Sequence, residues 1–285
     1  MKTTGAVIFA QNNSSIDYVK LAIFAATRIK TFLNIPVSII TDSSEWMLKS
    51  YPKESTVFDQ IIKIENVSAY NQKRFNDGTL SSKFLEWKNL ARNSVYDLTP
   101  YDRTLVIDSD YIINSTTLAS PLNSDHTFQI YKDCFSLSSW RGTAEFTRIN
   151  QYSIPFYWAT TFIFEKTLEV KSFFNIIDYI KSNWQYFRTL YSIEVPTFRN
   201  DFAFSIAIHL MNAKTSGMFA DELPGKMLYI SDRDLLISIE DTRMKFLIEK
   251  ENYLGEYTTV SMQDTDIHVM NKLSLSRFID GGLGV

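Results

Sequence analysis

Apolar positions along the chain follow two rhythms, one of short continuous runs and one of near-helical spacing. Residues 5–11 (GAVIFAQ) are a short apolar run that closes on polar residues, the pattern of a strand buried on both faces. From 15 to 33, Ile16, Val19, Leu21, Ile23, Phe24, Ala26, Ile29 and Phe32 recur at helical spacing, which predicts a helix capped by Ser14 or Ser15. Residues 35–41 predict a second strand closed by Asp42, and 57–64 a third. The pattern over 80–97 predicts a helix with Phe84, Leu85, Trp87, Leu90, Ala91 and Val95 inward, capped by Ser81 or Ser82 and ended before Pro100. Residues 103–108 (RTLVID) then read as a strand that runs into Asp108-Ser109-Asp110.

The stretch 112–155, rich in Ser, Thr and Asn, reads as a long irregular excursion. Residues 157–164 predict a strand, 167–190 one long helix, and 200–213 a helix whose N-cap is Asn200 or Asp201. Short strands are expected at 226–231, 235–239 and 266–270, and a flexible glycine-rich tail at 281–285. No repeat or low-complexity linker interrupts the 285 residues. The alternation of strands and helices predicts an α/β fold: one domain over 1–285, with a mostly parallel central sheet flanked by helices.

Composition narrows the function classes. With 45% hydrophobic and 21% charged residues, and 21 Phe, 15 Tyr and 5 Trp, the chain carries enough apolar side chain for a sizeable core and is not disordered. A net charge of −3 lacks the basic excess of a DNA-coating protein, so a nucleic-acid role requires a local basic patch. The single cysteine, Cys134, excludes an intrachain disulfide and any multi-cysteine zinc site, and fits a buried thiol in a reducing compartment. The apolar run 6–10 is shorter than the ~7–15 residues of a secretory core, and no stretch reaches 18 consecutive apolar residues. A cytoplasmic protein without a membrane span is the expectation.

Phosphate-binding glycine loops, H-E-x-x-H and G-x-S-x-G are all absent. The informative constellation is Asp108-x-Asp110. Side chains at i and i+2 of an extended segment point the same way, and the C-terminal end of a parallel strand faces the crevice where α/β sheets bind ligands. Two carboxylates so placed call for a cation, and a hard divalent ion, Mn²⁺ or Mg²⁺, fits and would in turn hold a diphosphate. D-x-D also occurs at Asp232-Asp234 and Asp264-Asp266, and a bare D-x-D is more often a pair of solvated strand-end aspartates. Asp264-x-Asp266-x-His268, if extended, places three potential ligands on one side, with Lys272 four residues beyond the histidine. Alone, it reads better as a polar strand with a half-buried histidine.

Taken together, the opening strand, the strand ending Ile107-Asp108-Ser109-Asp110, the strand 157–164, the Asn200-Asp201 helix start and the late Ile267-His268-Val269-Met270-Asn271-Lys272 resemble a GT-A-type glycosyltransferase that uses a nucleotide sugar. The resemblance leans to the retaining, glycogenin-like branch, with members in bacterial viruses; a viral member would act in the host cytoplasm. It implies a Rossmann-type GT-A fold, with 1–110 as the nucleotide-binding half and 111–285 as the acceptor-binding, metal-completing half. It implies Asp108, Asp110 and His268 as ligands of Mn²⁺ or Mg²⁺, Lys272 on the diphosphate, and a UDP-sugar donor. The branch's His, Gly, Lys-Pro-Trp pattern is not matched: Asn271 precedes Lys272, and Leu273-Ser274 follow it.

Further donor contacts are expected from Gln11 and Asn12 after the first strand, Asp42 after the second, Ser109 within the motif, and Asn200. Each of these has turn or cap chemistry as its plain alternative. Lys88 and Arg92, i and i+4 on the expected helix, point to an anionic partner or to a solvated face. Asp201 is the candidate catalytic residue, as general base or as reader of sugar hydroxyls. His209 shares its face, with a core role as the plain reading. Tyr152, Phe156, Tyr157 and Trp158 offer an acceptor platform or simply core.

The acceptor is a glycan, a protein, or a hydroxylated base in modified DNA. The DNA case requires a cleft lined by Lys73, Arg74, Arg141 and Arg148. A Mg²⁺-dependent nuclease or phosphotransferase is the rival enzyme class, and it requires more carboxylates near Asp108. A non-catalytic binding module is a fourth option.

Overall fold

The structure is a computed structural model and describes residues 2–65, 71–138, 147–150, 152–213, 219–250 and 253–282. Its first half runs β1 (Thr4–Phe9), α1 (Tyr18–Leu33), β2 (Val37–Thr41), α2 (Ser44–Ser50), β3 (Gln60–Lys63), β4 (Asn71–Asn76), β5 (Ser82–Trp87), α3 (Val95–Leu98), β6 (Arg103–Asp108) and β7 (Tyr111–Ile112). The chain continues through α4 (Ala119–Leu122), β8 (Phe128–Tyr131), β9 (Cys134–Ser136), β10 (Trp158–Glu165), α5 (Leu168–Ser182), α6 (Trp184–Leu190) and α7 (Asn200–Met211). It closes with β11 (Asp221–Glu222), β12 (Met227–Ile230), β13 (Leu235–Glu240), β14 (Arg243–Glu249), β15 (Tyr257–Gln263), β16 (Ile267–Val269) and α8 (Lys272–Gly282).

Among the described residues the main sheet has the order β11-β8-β10-β6-β1-β2-β3. The pairs β1–β2, β1–β6, β2–β3 and β8–β11 are parallel, and β10 runs antiparallel to both β6 and β8. The expected α/β architecture with a mostly parallel sheet and flanking helices is therefore present. Its apolar runs are buried on both faces: every residue of β2 is buried, as are Ala6, Val7 and Ile8 of β1 and Leu105, Val106 and Ile107 of β6. Tyr101 packs so closely on β1 that a Cβ at Gly5 would lie 2.4 Å from its ring. Against the other end of the sheet, Phe128, Phe162, Phe164, Phe173, Phe174 and Phe204 build an aromatic core.

A second, smaller core joins Ile112, Ile230, Leu236, Phe246, Ile267 and Leu275 to Phe75 and Leu85. It is built by the sheet β7-β16-β12-β9, the meander β13-β14-β15, the hairpin β4–β5 and α8. Phe278 of α8 meets Phe24 of α1 edge-on at 6.0 Å.

Several expectations are corrected. The helix expected over 80–97 is the second strand of a hairpin followed by short helical turns. Its apolar residues do not share a buried face: Leu80 is 94% and Phe84 73% exposed, while Leu85 is buried. The turn Asp77-Gly78, with Gly78 at φ +71°, marks the hairpin. Lys88 and Arg92 are therefore not neighbours on one helix face. Helix α1 starts at Tyr18, and Asp17, not Ser14 or Ser15, caps it by accepting from the Lys20 amide at 3.0 Å. The long helix 167–190 breaks at Asn183 into α5 and α6.

Neither Asn200 nor Asp201 caps α7. Arg199 holds that position, and both side chains bond elsewhere. The excursion 112–155 contains β8, a member of the main sheet, and β9. Strands β14 and β15 and helix α8 were not expected. Gly281 lies in α8 rather than in a free tail, and 283–285 fall outside the described residues.

Candidate functional site

A cleft of about 380 Å³ opens where β1 and β6 end and β10 begins. Asp108 is the last residue of β6, and it ion-pairs with Arg92. Past Ser109, the buried Asp110 carboxylate lies 3.1 Å from His268 Nε2 and 2.5 Å from Lys272 Nζ. One ligand atom from each of Asp108, Asp110 and His268 can be chosen so that all lie within 4.8 Å of one another.

The register of the small sheet makes this meeting. β16 pairs antiparallel with β7, which places His268 opposite Tyr111, the residue after Asp110. The Val269 amide also donates to the Asp110 carbonyl at 2.9 Å. Asn271, where the resembling branch has glycine, is fully buried and starts α8. Its Oδ1 accepts from the Ser274 amide at 2.9 Å and its Nδ2 donates to the Asp234 carbonyl at 2.9 Å. That cap sets Lys272 on the first turn, facing Asp110.

Burial pushes the Asp110 carboxyl up, but Lys272 and His268 outweigh it and hold it well below the usual carboxylate range. Burial likewise pulls the Lys272 ammonium down, and Asp110 more than restores it. Each carboxylate of the motif thus carries its own cation, Arg92 on Asp108 and Lys272 on Asp110. A divalent ion fits this donor set, two carboxylates and an imidazole, and buried His268 Nδ1 has no partner among the described residues. An ion held there would take over the neutralising role of Arg92 and Lys272 and leave both cations for a ligand's phosphates.

The remaining expected residues divide into those at the cleft and those behind it. Gln11, Lys88, Arg92, Ser109, Asn200, Asp201 and Lys272 line it. Asp42 stands behind Lys88, its side chain 1% exposed, pairing with Lys88 Nζ at 2.9 Å and accepting from Ser43 Oγ at 2.8 Å and Gln11 Nε2 at 3.4 Å. Asn12 does not reach the cleft wall; its Oδ1 accepts from the Val19 amide at 3.0 Å at the start of α1. Asp201 Oδ1 accepts from the Ala159 amide at 3.0 Å and Oδ2 from Arg199 at 2.7 Å. The Ala159 carbonyl accepts from Arg92. A register shift in β10 between Trp158 and Phe162 frees this backbone for both contacts. Asn200 Nδ2 donates to the Asn89 carbonyl at 2.9 Å, and its Oδ1 is buried without a partner among the described residues.

Asp264, Asp266 and His268 do not face one way. Asp264 is exposed at φ +50°, and Asp266 turns inward to accept from the Asn114 amide at 2.7 Å. Asp234 is buried on the Ser231 and Glu249 amides, whereas Asp232 lines the cleft and binds Asn76. Of the four aromatics in 152–158, Trp158 lines the cleft, Phe156 is core and Tyr152 is exposed. His209 sits edge-on to Tyr191, away from the cleft wall. Of the basic residues considered, Lys73 lines the cleft, Arg74 and Arg148 do not, and Arg141 lies outside the described residues. Tyr18, Phe75, Trp87 and Arg199 reach the cleft without having been singled out for the site chemistry. For the hairpin members, the overlooked signal is Asp77-Gly78.

No protein-family model matches the chain, and no curated protein matches it. Among solved structures, it is similar to the glycosyltransferase GlyE of Streptococcus pneumoniae TIGR4, at 13% identity and TM-score 0.41 over 78% of this chain and 45% of that one. It is also similar to the galactosyltransferase LgtC, solved with donor and acceptor sugar analogs, at 11% identity and TM-score 0.46 over 76% of this chain and 72% of that one. A third is a putative glucose-1-phosphate thymidylyltransferase from Bacillus anthracis, at 9% identity and TM-score 0.40 over 78% of this chain and 88% of that one. The chain spans less than half the length of GlyE. These likenesses are remote, so the functional reading rests on the geometry of the site. Among the described residues, no helix is long and apolar enough to cross a membrane.

Proposed function

We propose that the chain is a metal-dependent glycosyltransferase of GT-A type that moves a sugar from a nucleoside diphosphate sugar, a UDP-sugar in the first instance, to an acceptor hydroxyl. The observation that carries this reading is the meeting of Asp108, Asp110 and His268 within 4.8 Å beside Lys272 at the end of the sheet. Residues 1–110 would serve the nucleotide, and 111–285 the acceptor and the completion of the metal site.

Asp108, Asp110 and His268 would hold Mn²⁺ or Mg²⁺, and such an ion, when bound, supplies charge neutralisation at a leaving diphosphate. Lys272 and Arg92, released from the two carboxylates, bind phosphate oxygens and hold developing negative charge. The unpartnered Asn200 Oδ1 accepts a hydrogen bond from a hydroxyl of the transferred sugar, since a buried orphan acceptor costs about 1–3 kcal/mol until it is satisfied. Both Asp201 oxygens are engaged, one by Arg199, so taking a proton would break that pair. This favours a positioning role for Asp201 beside the sugar, and it favours retention, which needs no dedicated strong base. A two-metal phosphotransfer site needs more carboxylates converging near Asp108, and among the described residues the group that gathers potential ligands there holds two, Asp108 and Asp110, with His268.

A thermal-shift screen of nucleotide sugars with and without Mn²⁺ tests the reading. A UDP-sugar with Mn²⁺ is expected to raise the melting temperature by mass action, and Asp110→Asn to abolish the metal-dependent part. No shift with any uridine or guanosine diphosphate sugar overturns it. Turnover in Asp110→Asn should fall by about 10²–10³.

A further inference from the structure

The hairpin wall of the cleft holds a cation of a different kind from Arg92, Lys88 and Lys272. Those three sit on carboxylates, whereas Lys73 lies within 4 Å of none among the described residues. Its ammonium is over the rings of Phe75 and Trp87, at 5.5 and 5.1 Å from their centroids. Lys272 Nζ stands 5.9 Å from the same Phe75 ring, so both cations lie near one aromatic side chain. The hairpin that carries the exposed Lys73 is itself tied down. Asn76 is bound twice by Asp232 at 3.0 Å, Asp77 twice by Arg277, and Asn71 by Asn89 at 2.8 Å.

A second observation points to a ligand at this wall. Tyr18 lines the same cleft, and its Oη is buried with no hydrogen-bond partner among the described residues. Burial pushes the Tyr18 hydroxyl up to about 12, with Lys272 pulling it down and Asp110 pushing it up. An orphan hydroxyl and an ammonium with no carboxylate beside it, on two residues that line one cavity, match an oxygen-rich anion.

We propose that Lys73 Nζ and Tyr18 Oη, with Lys272, form a subsite for a phosphate-type oxyanion on the hairpin side of the cleft. This rests on the transferase reading for its place in a reaction, where the oxyanion belongs either to the donor or to an acceptor that itself carries phosphate. The state of Lys73 agrees. Crowding by protein atoms, then the like charges of Lys272 and Arg199, lower its ammonium to about 8, and an anion between these cations would relieve the repulsion. Solvent still reaches the side chain and moderates the effect.

Calorimetric titration of the full chain tests the subsite, with inorganic phosphate and with UDP plus Mg²⁺ as probes. In Lys73→Met, binding of one of the two is expected to weaken roughly tenfold or more. Lys73→Arg, which keeps the charge, should stay within about threefold of wild type, and Tyr18→Phe should weaken the same probe by roughly threefold. If the oxyanion is the donor's, UDP binding falls and bound UDP blocks phosphate. If it is the acceptor's, phosphate still binds the UDP-saturated protein, and Lys73→Met weakens phosphate but not UDP. Phosphate binding that depends on Lys73 in a protein that ignores UDP keeps the subsite and sinks the transferase reading. Affinities for both probes within about twofold of wild type in Lys73→Met, in a normally melting protein, overturn the proposal.

Discussion

Asp108 and His268 reach the same spot by different means. Asp108 ends a six-residue strand flanked on both sides by long ladders, and its neighbours Leu105, Val106 and Ile107 are fully buried. His268 rides a three-residue strand, and its link to the motif is a two-residue antiparallel pairing with β7. One side of the site is thus anchored in the main core, and the other in a small sheet that leans on a secondary core. Removing material from the first should cost the whole fold, whereas removing it from the second should chiefly loosen the geometry of the site.

The largest effect expected is for Ile107→Ala, which opens a cavity in the main sheet and should cost about 2–5 kcal/mol in urea unfolding. Ile267→Ala, beside the histidine, should cost less, about 2 kcal/mol, because the small sheet can relax around the gap, yet it should erase most of the Mn²⁺-dependent thermal shift. Equal stability losses with an intact metal response would erase the contrast between the two sides.

Lys272→Met probes the competition at Asp110. Mn²⁺ alone should bind several-fold tighter, because the built-in counter-cation is gone, while UDP in the presence of metal should bind roughly tenfold weaker, as followed by calorimetry. Weaker binding of both would mean that Lys272 supports the ligand geometry rather than competing for it.

The smallest effect belongs to the clamp between the hairpin and α8. Arg277 pairs with both oxygens of Asp77, at 2.6 and 2.7 Å, in a partly exposed setting, so Arg277→Ala should cost under about 1 kcal/mol. Arg277 holds the Asp77 carboxyl below its ordinary value of 3.8. The folded state therefore takes this proton at lower pH than the unfolded state does. The clamp's stabilisation is fully present above about pH 4 and is lost as pH falls through the folded value. Acid titrations of wild type and Arg277→Ala should converge at the acid end. A gap that persists there would assign the loss to packing instead of charge.

β1, β2 and the strand that delivers Asp108 were legible because a doubly buried strand must be apolar throughout, whatever its partners, and α1 because its apolar positions recur at helical spacing; β3 is a largely exposed edge strand and is shorter than the run 57–64 suggested. The hairpin was misread for the converse reason. Phe84 and Trp87 are apolar but do not share a core face: Phe84 is exposed, and Trp87 lines the cleft beside Lys73. A helical spacing of apolar residues there reports no buried stripe. Strand β14 alternates exposed and buried positions from Arg243 to Phe246, a legible strand pattern that went unread. Asn12, Asp42, Asn200 and Asp201 were singled out as polar residues at element ends. Asn12 turns back on nearby Val19, while Asp42, Asn200 and Asp201 bond Lys88, Asn89 and Ala159 far along the chain, so which would reach the cleft could not be read from position.

The sequence by itself determined five strands of the main sheet, β1, β2, β3, β6 and β10, and the pair of acids at the mouth of one of them, since burial and side-chain alternation are local consequences of residue type. Only the tertiary structure decided that an imidazole 158 residues later would touch Asp110, that Arg92 and Lys272 would each neutralise one acid, and that Lys73 would have none. Those outcomes depend on strand register and on the docking of α8 and the hairpin. They are contacts between distant segments, to which no local pattern is bound.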